Sequence, residues 1–383
     1  MRDAISLYLH IPFCVRKCLY CSFVSVTDAP LSTRDYTSLL LREMESRAAA
    51  LPAPCRAPTL YLGGGTPSLL APPLVGQIVE AAVRLFGLEA DAEVTIEANP
   101  GTVTAETLAG YRAAGVNRLS LGVQSFDDRM LARLGRVHTA REARAAFVAA
   151  RAAGFDNIGV DLIHSLPGED LAAWRKELRA AAGLCPEHVS AYGLTVEEGT
   201  PFGRLAAEGS LVLPDEEASA RMFEETAATL AAFGYAQYEI SNCALPGRRS
   251  RHNQVYWRRE SYLGIGAGAH SFLHVPAAGF RWQNPDDIAA YGRAVGAGRL
   301  PDEGRVELSP REAMDEWLFL GLRLLDGVEP ARFREEFGLP LDAVYGEKIE
   351  RLCAAGLLVA EGERLHLAPR GIILSNQVFS AFL

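Results

Sequence analysis

The 383-residue sequence has no long apolar run, no excess of basic charge and few cysteines. No stretch reaches the ~18–20 apolar residues of a bilayer span, so no membrane-crossing helix is expected. The opening MRDAISLYLHIPFC lacks the apolar core and small-residue cleavage site of a secretory signal. His10 and Pro12 interrupt it, and a cytoplasmic protein is expected. Lysine and arginine total 38 against 47 acids, a net charge of −9. Nucleic-acid binding needs a basic surface that displaces counterions, so no nucleic-acid partner is expected. Seven cysteines are too sparse for a disulfide framework. Cys55, Cys185, Cys243 and Cys353 stand singly and read as small packed hydrophobes.

The other three cysteines are concentrated. In HIPFCVRKCLYCSF, Cys14, Cys18 and Cys21 follow one another at spacings of four and three. Thiolates this close can wrap one soft metal centre. Structural zinc closes with a fourth Cys or His, which the loop itself does not offer, although His10 could reach back from the preceding strand. A 4Fe–4S cluster normally takes four thiolates. With three, one iron stays open to a substrate or cofactor, as catalytic metal sites require.

Around this loop the chain alternates. β-branched and alternating runs at 4–11, 58–65, 92–101, 116–124, 155–168 and 186–195 read as strands. Capped, glycine-terminated helical segments lie between and after them. The last, 215–234, presents Phe223, Ala227, Leu230 and Ala231 as one buried stripe. Six β-then-α units imply an α/β fold with a parallel sheet, and both a doubly wound sheet and a partial (β/α) barrel fit.

The unusual residues share one end of these strands. GGGTP (63–67) follows the second, Glu97 and Asn99 close the third, and Gln124 closes the fourth. Arg136 and His138 lie in a helical segment beyond it. Asp161 comes late in the fifth strand, and Tyr192 and Thr195 end the sixth. C-terminal strand ends form the functional face of parallel α/β folds, so one assembled site is expected. GGGTP lets a ligand approach the backbone closely, but no Lys-Ser/Thr follows to make a phosphate loop. The acids suit an ammonium or hydroxyls and Arg136 suits a carboxylate.

CVRKCLYC matches the CxxxCxxC signature of radical S-adenosylmethionine proteins, and GGGTP resembles their amino-group-binding glycine motif. LYLHIPFC, LGGGTPS, IEANP, RLSLGVQSF, LGRVH, VDLIHSLPG, LTVEEGTPF and RHNQVYW are together similar to the oxygen-independent coproporphyrinogen III oxidase-like family, in its haem chaperone branch. The resemblance implies a partial six-unit (β/α) barrel. It implies a 4Fe–4S cluster on Cys14, Cys18 and Cys21, with S-adenosylmethionine on the open iron. It carries the cofactor contacts to Tyr8, Tyr20, Gly64, Gly65, Thr66, Glu97, Gln124, Arg136, Asp161 and Thr195. His10 matches a histidine near the cluster.

Two features separate the branches. The oxidases resemble CxxxCxxCxC, with a cysteine where this chain has Phe23, and they carry a longer segment before the cluster. HNQVYW matches the HNxxYW pattern associated with haem, which implies haem contacts at His252, Asn253, Tyr256 and Trp257. The expected function is a haem chaperone delivering haem to acceptor apoproteins. An oxygen-independent coproporphyrinogen oxidase is the alternative, and a zinc-stabilised binding module a remoter one. The sequence departs from the family where His164 and Ser165 replace an expected tyrosine and glycine, and where Glu169 and Asp170 replace Gln-Thr.

Three parts are expected: a barrel over 1–240, a connecting segment over 241–308 carrying HNxxYW and the glycine-rich YLGIGAGAHSF, and a winged-helix-like domain over 309–383. Arginine-rich GRRSRHNQVYWRRE leaves room for haem propionates or peripheral contact with anionic lipid, and a homodimer is compatible with the sequence.

Overall fold

The computed structural model describes residues 4–51 and 54–383. Six consecutive units form as the alternation predicts. They run β1 (Ser6–Ile11), α1 (Thr33–Ala50), β2 (Ala57–Gly64), α2 (Pro72–Phe86), β3 (Leu88–Ala98), α3 (Ala105–Ala113), β4 (Arg118–Gln124), α4 (Asp128–Leu134) and α5 (Ala140–Ala152). They continue through β5 (Ile158–His164), α6 (Leu171–Ala182), β6 (His188–Gly193), α7 (Pro201–Ala207) and α8 (Glu216–Ala231). Local chemistry sets the ends. Ser32 accepts the Asp35 N–H ahead of α1, Thr139 and Glu142 form a capping box on α5, and Gly87 closes α2 in the left-handed region at φ 59°. Arg136 and His138 lie in the turn between α4 and α5, not in a helix, because Gly135 ends α4 at φ 74°.

The chain continues through β7 (Ala236–Glu239), β8 (Asn242–Ala244), α9 (Arg251–Trp257), β9 (Tyr262–Ile265), β10 (His270–Val275), β11 (Ala278–Gln283), α10 (Ile288–Gly296) and β12 (Glu303–Leu308). These strands extend the same sheet, whose order is β12-β11-β10-β9-β1-β2-β3-β4-β5-β6-β8-β7. β1 to β6 pair in parallel, and β9 adds a further parallel strand on the outer side of β1. The sheet curls but its edge strands do not meet, which makes the barrel partial. Residues 241–308, read from sequence as a connection, thus supply five strands of the barrel sheet, β8 to β12.

Leu7, Leu9 and Ile11 of β1 are fully buried in the main core with helix residues such as Tyr36 and Leu40. Each buried aliphatic side chain contributes roughly 1.5–3 kcal/mol. Alternate residues, Tyr8 and His10, belong to the opposite, inward face of the strand. On α8 the buried stripe is Met222, Thr226 and Leu230, rotated from the expected one. The Trp174 indole N–H, which donates to the Met222 carbonyl (3.0 Å) and Thr226 Oγ1 (2.9 Å), sets that rotation.

A second core lies in α11 (Pro310–Gly321), α12 (Pro330–Phe337), α13 (Leu341–Ala354), the hairpin β13 (Leu358–Glu361) and β14 (Arg364–Leu367), α14 (Pro369–Ile373) and α15 (Ser375–Ser380). Ion pairs join it to the barrel, among them Arg249 with Asp326, Arg259 with Glu316 and Glu336, and Arg281 with Glu316. The arginine-rich stretch is largely spent internally. Arg251 donates to the Asp91 carbonyl, Arg258 to Gln254, and Arg248 stands 3.6 Å from Asp156. Among the lone cysteines, Cys55 and Cys243 are buried. Cys185 is exposed, at the left-handed turn (φ 55°) that leads into β6, so it is not packed as expected. No helix among the described residues is long and apolar enough to cross a membrane.

Candidate cluster and cofactor site

The C-terminal ends of β1 to β6 surround an open cleft of about 150 Å³. Cys14, Cys18 and Cys21, all partly exposed and free, line one wall. Tyr20, Gly64, Gly65, Thr66, Glu97, Gln124, Arg136 and Asp161 line the rest, so most of the expected cofactor residues converge. Two do not. Tyr8 faces a neighbouring cavity, its hydroxyl 3.1 Å from His10 Nδ1. Thr195 is exposed beyond β6 and does not line the cleft.

The glycines of GGGTP answer first to the chain itself. A Cβ at Gly64 would stand 2.5 Å from the His10 ring, and one at Gly65 would stand 2.8 Å from the Phe13 carbonyl oxygen. Gly64 also holds φ 112°, which a side chain resists. The motif therefore lets β2 close against the strand that launches the cysteine loop. Thr66, next in line, lies 3.5 Å (Oγ1) from Cys14 Sγ.

Glu97 accepts the Tyr61 hydroxyl (2.8 Å) and the Gly64 N–H (3.0 Å). Burial, countered by the Tyr61 bond and reinforced by Asp161, pushes its carboxyl up to about 7. Asp161 accepts Ser120 Oγ at 3.2 Å and is also held above the usual carboxylate range by burial. Gln124 adopts φ 68° where the β4–β5 register shifts, and its Oε1 accepts the Tyr192 hydroxyl (3.0 Å). Arg136 donates to Cys18 Sγ (3.4 Å) and to the Gly122 carbonyl (2.6 Å). Its buried Nε has no hydrogen-bond partner among the described residues. The cleft thus offers thiols, two acids, an amide and a cation with donor capacity to spare, a set able to take a soft metal centre and the amino and carboxylate groups of an amino acid.

Asn99 and Tyr192, placed on the strand-end face by sequence, line the cleft, whereas sequence reasoning missed Ser120. Ser120, Gly122 and Gln124 recur at the period of two that places them on one face of β4, which was a usable signal. Asn99 is held there by His138, whose Nδ1 lies 2.9 Å from its Oδ1.

HNxxYW does not line the cysteine cleft, although Tyr256 lines the neighbouring cavity with Tyr8, His10 and Phe23. Thr59 stands early in β2 and Glu93 at the middle of β3, whereas Gly64 and Glu97 stand late. Four strand residues span about 13 Å. Glu93 accepts the N–H groups of Arg251 (3.0 Å) and His252 (2.9 Å) and so anchors α9 there. His252 is 1% exposed. Its Nδ1 lies 2.7 Å from Thr59 Oγ1 and its Nε2 2.9 Å from the Tyr256 hydroxyl, while Tyr61 stacks on it at 4.9 Å. Burial, followed by the charge of Arg118, pulls it down to about 3. Both imidazole nitrogens are thus engaged by hydroxyls within the fold. Asn253 donates its backbone N–H to Ser250 Oγ, and Trp257 packs under the Arg323 guanidinium at 4.1 Å.

Comparisons with known proteins agree with this geometry. Residues 8–181 match the Radical SAM superfamily model and residues 308–374 the HemN C-terminal domain model. The chain is 37% identical to the heme chaperone HemW of Bacillus subtilis, over 99% of both chains. It is 36% identical to that of Escherichia coli, over 99% of this chain and 98% of the relative. It is 34% identical to the mitochondrial radical S-adenosyl methionine domain-containing protein 1 of Bos taurus, over 99% of this chain and 87% of the relative. The solved coproporphyrinogen III oxidase HemN of Escherichia coli shares the fold, with a TM-score of 0.83 at 23% identity over 100% of this chain and 90% of that one. With full-length identity to these relatives, a parallel-strand cleft walled by three cysteines and a HemN-type C-terminal domain, the chain belongs to the HemW family of the radical SAM superfamily.

Proposed function

We propose that this protein is a cytoplasmic haem chaperone of the radical S-adenosylmethionine type, passing haem to acceptor apoproteins. The observation that carries the cofactor half is the meeting of Cys14, Cys18 and Cys21 with Glu97, Gln124, Arg136 and Asp161 in one cleft. The haem half draws on the heme chaperones to which the chain is similar along its whole length.

The three thiols would hold a 4Fe–4S cluster, which when bound leaves one iron open to a cofactor's amino-acid end. Arg136, with its spare donor, suits the cofactor carboxylate, and Glu97 suits the ammonium. Tyr20, Gly64, Gly65 and Thr66 shape the cleft beside them. Phe23, in place of an additional cysteine, favours the carrier over the oxidase. Membrane contact and dimerisation are compatible with this reading, but the internal pairing of the arginines weighs against a lipid-facing role for that stretch.

The test is anaerobic reconstitution with iron and sulfide, then transfer of haem to an apoprotein. About four irons per chain should be incorporated, and Cys14→Ala should abolish the EPR signal of the reduced cluster. Conversion of coproporphyrinogen III to protoporphyrinogen by the reconstituted protein with S-adenosylmethionine would refute the chaperone reading.

A further inference from the structure

If haem is the cargo, one of the eight histidines is the obvious iron ligand, and their environments differ sharply. His10, His138 and His252 have both ring nitrogens engaged. His164 and His188 are buried and hydrogen-bonded, to Ser165 and Tyr238. His274 binds Glu336, and His366 binds the Leu367 carbonyl. His270 alone is exposed with neither nitrogen in a hydrogen bond among the described residues.

His270 opens β10, and Gly264 of β9 fixes its position. A Cβ at Gly264 would collide with the His270 carbonyl, and the Gly264 N–H donates to Ser271 Oγ at 2.9 Å. The imidazole lines a cavity of about 450 Å³, of the size that takes a small molecule or cofactor. Aromatic rings make up much of its wall: Tyr8, Tyr256, Tyr262 and Phe23. Phe23 is 66% exposed, a large apolar ring left in solvent, and it also borders the cysteine cleft. Lys17 Nζ, 3.1 Å from the Phe23 carbonyl, lies on the cysteine-cleft side of that ring. Aromatic faces for a flat macrocycle and an open imidazole for its iron therefore meet at one place, with Asp286 also on the wall.

We propose that haem docks in the cavity between the cysteine loop and the β9–β10 hairpin, with His270 as its axial ligand and Phe23 packed on the macrocycle. This rests on the haem-carrier reading above and names its ligand. It shifts the ligand from His252 to His270, while Tyr256 of HNxxYW still lines the cavity.

The test is titration of the full-length, cluster-reconstituted protein and its variants with ferric haem, followed by absorption and EPR. Wild type should show an imidazole-ligated signature. His270→Ala should bind at least tenfold more weakly with a shifted Soret band, and added free imidazole should restore the spectrum. Phe23→Ala should weaken binding several-fold while keeping the ligand signature, and His366→Ala should change nothing. The assignment is overturned if His270→Ala retains wild-type affinity and EPR. It is equally overturned if His252→Gln, folded by circular dichroism, loses the imidazole signature while His270→Ala keeps it. Either result leaves the carrier function standing. Failure of the wild-type protein to take up haem would overturn both.

Discussion

Gly64 and His10 are in such close contact that one methyl group would not fit between them: a Cβ on Gly64 would lie 2.5 Å from the imidazole Cε1. His10 cannot easily retreat, because its Nε2 donates to the Val24 carbonyl at 2.7 Å, behind the cysteine loop. Gly64→Ala should therefore cost roughly 2–5 kcal/mol, combining left-handed strain with overpacking. Thermal unfolding would register the loss. Iron retention should fall as well, since the displaced element carries the cysteines. Unchanged melting and iron content would show that the glycine serves only ligand approach.

Glu97 makes cofactor binding depend on pH. Its carboxyl titrates near 7 before ligand binds, so it is protonated in mildly acidic solution and charged in mildly basic solution. An ammonium prefers the charged form. Affinity for S-adenosylmethionine should rise as pH climbs from 6 to 8, by a few-fold to about tenfold given 1.36 kcal/mol per unit of pKa. Glu97→Gln should bind more weakly and flatten the profile. Calorimetric titration of the reconstituted protein at several pH values checks both, and a steep profile in Glu97→Gln would assign the dependence elsewhere.

Ser165 sits at φ 60°, where a glycine is expected from the family pattern. A non-glycine residue in this region costs about 1–2 kcal/mol. Its hydroxyl, however, bonds His164 Nδ1 at 2.9 Å, itself a substitution, so the two departures support each other. Ser165→Gly and Ser165→Ala both delete the hydroxyl, but only the first relieves the backbone. The glycine variant should be the more stable of the two by about 1 kcal/mol in chemical denaturation. Equal stabilities would mean that the loop carries no strain.

The order of strands and helices, their ends and the site residues on β2 to β5 were readable in the sequence. They depend on local rules: periodicity, capping and the placement of polar residues at strand ends. The resemblance of the cysteine spacing needed no tertiary information either. What sequence could not decide was how distant segments meet. β9 to β12 looked like a connection because their pairing with β1 and one another is long-range. Nothing local to His252 reveals that Thr59 and Tyr256 lie against its two nitrogens. His270 attracted no notice in a glycine-rich run, and only the packing of β9 and β10 against the cysteine loop leaves its imidazole open. A motif records which side chains are present. Burial and hydrogen-bond partners, set by the whole fold, determine which of them remain free to bind.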